Sequence, residues 1–201
     1  PLARMLRFFG SRQIKNRATV GGSLCNASPI GDLAPILFAL DANIVIGSAS
    51  GERTVPITDF FLDYRKTALQ QGEVLLRVTF PHPPATVRMS AYKVSKRREL
   101  DISAVSAGMR VILDGDVVSD ICLAYGGMAA TTKRADQTEA ALLNKTWDEA
   151  NVRKAMALVA KDFSPFTDHR GTSWYRTRVA QNLLLGFFLE TQKVPQPRLP
   201  D

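Results

Sequence analysis

Residues 105–125 read Val-Ser-Ala-Gly-Met-Arg-Val-Ile-Leu-Asp-Gly-Asp-Val-Val-Ser-Asp-Ile-Cys-Leu-Ala-Tyr. Two apolar, strand-like runs flank Asp114-Gly115, a dipeptide suited to the positive torsions of a tight hairpin, and predict strands over 105–113 and 117–125. Upstream, 89–94 reads as another strand, and 43–46, 53–56 and 74–80 as three more, with turns at Gly47, Gly51 and Gly72. Downstream, helices are expected over 135–143, 148–162 and 173–191. In the second of these, Thr146 and Glu149 have capping-box spacing, and Val152, Ala155, Met156 and Val159 share a face. Strands followed by segregated helices predict an α+β fold rather than alternating βαβ units. Pro81-His82-Pro83-Pro84 cannot supply consecutive ladder donors, so it divides the chain. The expected segments are 1–84, with a mixed or antiparallel sheet, 85–192, with antiparallel strands and packed helices, and a tail over 193–201.

The 201 residues, 45% hydrophobic and 22% charged, have the balance of a globular domain and exclude low-complexity classes. The longest apolar stretches, 34–40 and 183–189, fall short of the roughly 20 residues of a membrane span, so no membrane association is expected. The net charge of +7 favours acidic partners. Its cations are scattered, densest at Lys93, Lys96, Arg97 and Arg98, without the interleaved aromatics of a nucleic-acid platform, so no nucleic-acid partner is expected. Cys25, Cys122, His82 and His169 form no metal-ligand spacing. Residues 1–10 read as the end of a helix already under way, so the chain is expected to begin inside a larger domain. They lack the order of a secretory signal, and the expected compartment is the cytoplasm.

Residues 19–32, Thr-Val-Gly-Gly-Ser-Leu-Cys-Asn-Ala-Ser-Pro-Ile-Gly-Asp, predict a long loop. Asp32 is expected to cap a short helix over 32–40 with its carboxylate. Gly21 and Gly22 would let backbone amides approach an anion, with Thr19, Ser23, Asn26 and Ser28 as further donors and Asp32 as an acceptor for ribose or ribityl hydroxyls. An ordinary structured turn and a nucleotide cradle both remain open on this pattern. Lys93 reads as a solvated strand lysine or as the counter-charge to an anionic cofactor. The mixed-charge run 96–101 reads as a surface ion-pair loop or a binding loop. Tyr125-Gly126-Gly127-Met128 is assigned a packing role. No triad, carboxylate pair or activated cysteine can be assembled, so any chemistry is expected from a bound cofactor.

Gln-Ile-Lys-Asn-Arg-Ala-Thr-Val-Gly-Gly-Ser at 13–23 and Ala-Ser-Pro-Ile-Gly-Asp at 27–32 resemble the FAD-binding domain of xanthine dehydrogenases. The likeness continues in order through 59–67, 92–98, 101–105 and 125–129, and is nearest to the C-terminal part of the bacterial small subunit. The resemblance implies a PCMH-type FAD-binding part over 1–84 and a CO dehydrogenase flavoprotein C-terminal-like part over 85–192. It implies FAD contacts at Phe9, Thr19, Gly21, Gly22, Ser23, Asp32, Leu75 and Lys93, with Thr19 and Ser23 standing where mammalian enzymes carry serine and asparagine. It places Tyr64, Arg97, Glu99 and Asp101 where NAD+ gains access to the flavin, with Leu100 replacing an acidic residue. The expected activity is that of an oxidoreductase component, inactive as this chain alone. Electrons pass from [2Fe–2S] clusters through FAD to NAD+ during oxidation of hypoxanthine and xanthine to urate at a molybdopterin centre. The implied partners are the rest of the small subunit, carrying the clusters and an N-terminal FAD subdomain, and a molybdenum-binding large subunit. Two alternatives are the flavin subunit of a related molybdenum hydroxylase, acting on carbon monoxide or an aromatic substrate, and a non-catalytic subunit-docking module.

Overall fold

The structure, a computed structural model, describes residues 1–97 and 101–192. Helices α1 (Leu2–Phe8), α2 (Arg12–Lys15), α3 (Val20–Cys25) and α4 (Leu33–Ala39) precede strands β1 (Asn43–Ser48) and β2 (Gly51–Pro56). Helix α5 (Ile57–Phe60), the short hairpin β3 (Phe61–Asp63) and β4 (Lys66–Thr67), and strand β5 (Val74–Thr79) complete the first segment. Strands β6 (Arg88–Val94), β7 (Val105–Asp114), β8 (Val117–Gly126) and β9 (Lys133–Arg134) then give way to helices α6 (Asp136–Leu142), α7 (Glu149–Met156), α8 (Val159–Asp162) and α9 (Ser173–Thr191). The architecture is α+β. Its sheets have the orders β2-β1-β5, β3-β4 and β6-β7-β8-β9, and every pairing is antiparallel.

The hairpin forms at Asp114-Gly115 as expected, with Asp114 opposite Val117. Helix α9 occupies the expected range. Other local expectations are corrected. Residues 19–32 are not all loop, because the Thr19 hydroxyl accepts the Gly22 amide at 2.9 Å and starts α3 despite two glycines. Asp32 precedes α4 but makes no side-chain cap; its carboxylate turns to other partners. Gly47 lies within β1, opposite Glu52 and Val74, rather than in a turn. The expected helix over 148–162 is two helices, and Asp148, not Thr146, caps the first by accepting the Asn151 amide at 2.8 Å. The break has a use: α8 brings the Asp162 carboxylate to the free amides of Gln137 and Thr138 at the start of α6, at 2.8 and 3.0 Å.

Two apolar clusters form the interior. One lies between β7, β8 and helices α6 to α9, with Met109, Leu123, Tyr125, Leu184 and Phe187 wholly enclosed. The other centres on α4, all seven of whose residues are buried, and reaches Ile44, Ile46, Ile57 and Phe60 on one side and Ala91, Cys122 and Ala124 on the other. Each large side chain so buried contributes roughly 1.5–3 kcal/mol relative to exposure. Helix α4 ends where Asp41 adopts left-handed torsions, with its amide bonded to Phe38 and that of Ala42 to Leu37. Arg110 on β7 then clasps this end, donating to the Ala39 carbonyl at 2.9 Å and to the carboxylates of Asp41 and Asp120. At Gly108 the strand comes so close that a Cβ would stand 2.2 Å from the Pro35 carbonyl oxygen.

Candidate functional site

Helix α1 separates two cavities. The first, of about 410 Å³, is lined by Leu2 and Leu6 of α1, Thr19, Val20 and Gly21 of the α3 entry, Leu33 and Leu37 of α4, and Leu75 to Val78 of β5. It holds three expected cofactor residues, Thr19, Gly21 and Leu75, on a mostly apolar wall. The second, of about 380 Å³, runs from Arg4, Met5 and Phe8 along β6 through Tyr92, Lys93, Ser95, Lys96 and Arg97. Arg4, Lys93, Lys96 and Arg97 are its basic side chains among the described residues, Arg4 pairing with Glu190 at 3.7 Å and Arg97 with Asp101 at 4.0 Å.

Of the remaining expected contacts Lys93 lines the second cavity, and Phe9, Gly22, Ser23 and Asp32 line neither. Phe9 ends α1 and packs partly against the α4 cluster. Gly22 gives its amide to Thr19 and Ser23 gives its amide to the Thr19 carbonyl at 3.0 Å, so among the described residues the Val20 and Gly21 amides are the ones that α3 leaves for a ligand. Asp32 and Lys93 bond to each other, carboxylate to ammonium at 2.5 Å, with both side chains less than a tenth exposed. The other Asp32 oxygen accepts the hydroxyl of Ser103, also at 2.5 Å. An ammonium has three donors and a carboxylate about four acceptor sites, so both members of the pair retain bonding capacity beyond these contacts.

Tyr64 stands on the β3–β4 turn, 56% exposed, with the Arg65 guanidinium 5.8 Å from its ring centre. Asp101 accepts the amides of Arg97 and Ile102, each at 2.9 Å, and the first of these bonds leads in holding its carboxyl below the ordinary value. Glu99, with Arg98 and Leu100, lies outside the described residues. Tyr92 donates to Glu190 at 2.9 Å, and burial pushes its phenol well up, so it acts here as a neutral hydrogen-bond donor. Cys122 is enclosed and its thiol is pushed up to about 12 by burial, which makes it inert. Among the described residues no cluster of His, Cys, Asp and Glu could hold a metal ion, and no helix is long and apolar enough to cross a membrane.

Sequence reasoning missed the support behind this site. Ser103 gave no signal, being one hydroxyl before a strand. Arg176 did: with Ala180, Leu184 and Phe187 it lies on the buried stripe of α9, where a charge needs partners. Its guanidinium donates to the Ala104 carbonyl, to the Gly127 carbonyl at 3.1 Å and to the Asp168 carboxylate at 2.7 Å. Gly127 is fit for this junction, because its φ of +82° and the Ala104 oxygen 2.3 Å from where a Cβ would stand exclude a side chain. The packing role expected for Gly126-Gly127 is what the structure has.

Comparison with known proteins places the geometry in a family. Residues 1–83 match the FAD binding domain in molybdopterin dehydrogenase, and residues 90–191 match the CO dehydrogenase flavoprotein C-terminal domain. The xanthine dehydrogenase of Oryza sativa is 42% identical over 166 residues, covering 80% of this chain and 12% of that protein. The glyceraldehyde dehydrogenase medium chain of Sulfolobus acidocaldarius is 34% identical over 184 residues, covering 92% of this chain and 65% of that protein. A carbon monoxide dehydrogenase structure from Hydrogenophaga pseudoflava superposes with a TM-score of 0.88 at 28% identity, covering 94% of this chain and 66% of that one. The chain thus spans less than two thirds of each of these three. With both domain matches in chain order on this fold, the chain belongs to the FAD-binding flavoproteins of the molybdenum hydroxylase family.

Proposed function

We propose that this chain supplies part of the FAD cradle of a xanthine dehydrogenase-type enzyme, with residues 1–84 and 85–192 as its two subdomains. It relays electrons in the cytoplasm from [2Fe–2S] clusters to NAD+ while hypoxanthine and xanthine are oxidised at a molybdopterin centre. The clusters, the N-terminal FAD subdomain and the molybdenum site belong to the rest of the small subunit and to a large subunit. The observation that carries the reading is the placement of Thr19, Gly21 and Leu75 on one cavity and Lys93 and Arg97 on the other, on either side of α1. The donor set suits the group: an apolar wall for flat rings, free amides at Val20 and Gly21, and the basic donors of Lys93, Lys96 and Arg97 on the second cavity for phosphate or electron-rich ring edges.

FAD would supply the electron exchange between one-electron and two-electron carriers, and the chain's residues would bind and orient it. Gly21 lets the backbone come close. The Lys93 ammonium, held by Asp32, offers its remaining donors at a fixed point and stabilises negative charge there. Asp32 uses its free lone pairs for ligand hydroxyls. By the family resemblance, Tyr64, Arg97 and Asp101 would stand on the side where the nicotinamide enters; Glu99, named with them in the sequence, lies outside the described residues.

The assembled enzyme should show an oxidised-flavin absorption band that NADH or xanthine bleaches, and an assembly without flavin would overturn the reading. A second reading is a related molybdenum hydroxylase of different substrate, favoured by the carbon monoxide and glyceraldehyde dehydrogenases, which the chain covers more fully than it covers the rice enzyme. Substrate profiling of the assembly separates the two. A docking module without cofactor predicts no saturable quenching when FAD is titrated into the chain.

A further inference from the structure

Behind the Asp32–Lys93 pair lies a set of contacts that converges on one arginine. Segment 29–32 is held from two directions. The Ser103 hydroxyl binds Asp32 at 2.5 Å, and the Gly127 amide binds the Pro29 carbonyl at 2.7 Å. Ser103 and Gly127 sit on different strand ends, the entry of β7 and the exit of β8. Arg176 joins those ends, since one of its terminal nitrogens donates both to the carbonyl of Ala104, next to Ser103, and to the carbonyl of Gly127 itself. The other terminal nitrogen is fixed by Asp168 at 2.7 Å, and the guanidinium lies over the Phe166 ring at 4.9 Å. The same Asp168 oxygen accepts the amides of Arg170 and Gly171 at 2.8 and 3.1 Å, which makes its turn a rigid base. Lys96, on the second cavity, reaches that turn through the His169 carbonyl at 2.6 Å.

Arg176 is wholly buried and its Nε has no partner among the described residues. A side chain kept only to fasten α9 to the sheet would be replaced at less cost by an apolar one, because a buried ion pair adds little stability of its own. Its two-carbonyl grip does something an apolar side chain cannot: it fixes the separation of two strand ends that are both tied to segment 29–32, β8 through Gly127 and β7 through Ser103 and, at 3.4 Å, through Ser106.

We infer that Arg176, anchored by Asp168, is a positioning residue for the flavin site, setting segment 29–32 and with it the direction in which the Asp32–Lys93 pair meets the cofactor. The inference rests on the FAD reading above. Lysine at this position could reach Asp168 or the carbonyls but could not span both.

The test uses the full-length flavoprotein in its assembly, unaltered and as Arg176→Lys, Asp168→Asn and Val152→Ala, the last removing buried volume on α7. Melting temperature, FAD dissociation constant and the visible circular dichroism of bound flavin are measured for each. Arg176→Lys and Asp168→Asn are expected to weaken FAD binding by about tenfold or more, the scale of losing a supporting partner around a ligand site, and to change the dichroism band. Val152→Ala is expected to lower the melting temperature while leaving FAD binding within about twofold and the band unchanged. The inference is overturned if Arg176→Lys and Asp168→Asn bind FAD as the unaltered protein does, or if all three variants lose affinity in proportion to melting temperature. Should Arg176→Lys not fold, Asp168→Asn decides on the same criteria. An unaltered assembly that binds no FAD removes the underlying reading as well, whereas bound flavin indifferent to these variants removes the positioning role alone.

Discussion

At the scale of the residue, the pairing of Asp32 with Lys93 changes what each can do. Taken singly in the sequence, they read as an acceptor for sugar hydroxyls and a free counter-charge. Folded, they form a neutral unit with spare donors and acceptors held at a fixed position. Removing one member leaves a buried charge, so Lys93→Met should cost ~3–5 kcal/mol in urea denaturation. Adding Asp32→Leu should recover much of that loss in a double-mutant cycle. Asp168 carries a pH dependence. Burial works to raise its carboxyl, but hydrogen bonds from the Arg176 guanidinium and the Arg170 amide outweigh it and hold the group down at about 2. A depressed carboxyl stabilises the fold fully above its unfolded value of about 4, and that contribution disappears as pH falls through the folded value. Melting temperatures measured from pH 5 down to 2 should therefore fall less steeply for Asp168→Asn than for the unaltered protein. No sequence pattern joined Asp32 to Lys93 or to Ser103, because their contacts span 61 and 71 positions.

At the scale of the element, what could be read in advance was whatever local chemistry decides. The β7–β8 hairpin follows from two strand-like runs around Asp-Gly, and the end of α9 from the prolines that follow it in the sequence. Short pieces escaped because tertiary partners decide them. Helix α3 carries two glycines and survives on a threonine cap and the burial of Leu24. The break before α8 was invisible because its benefit, a carboxylate at the start of α6, lies elsewhere in the chain. Helix α4 against β7 gives a further prediction. Gly108→Ala would drive a methyl group into the Pro35 carbonyl, so the helix must shift, and overpacking of this kind should cost ~1–3 kcal/mol by denaturant midpoint. The same substitution at the half-buried helical position Gly186, where a Cβ meets nothing within 4 Å, should be neutral to stabilising and serves as the control.

At the scale of the whole molecule, the family boundary and the packing boundary differ. The first matched segment ends at residue 83, within the proline stretch 81–84, and the second begins at residue 90. The α4 cluster nevertheless takes Ala91 and Cys122 from beyond that boundary, and Arg110 binds the end of α4. Expressed apart, 1–84 and 85–192 should each show broad, weakly cooperative thermal transitions, whereas the two produced together should recover one sharp transition in calorimetry. Independent, sharp melting of both pieces would contradict the shared core. Because one fully enclosed helix serves both sides, the proline stretch cannot work as the pivot of a jaw: swinging the segments apart would bring Ile36, Leu37 and Phe38 into water. Any motion beside the two cavities must then be small in amplitude, a rotation of side chains along their rims, with the framework behind them standing still.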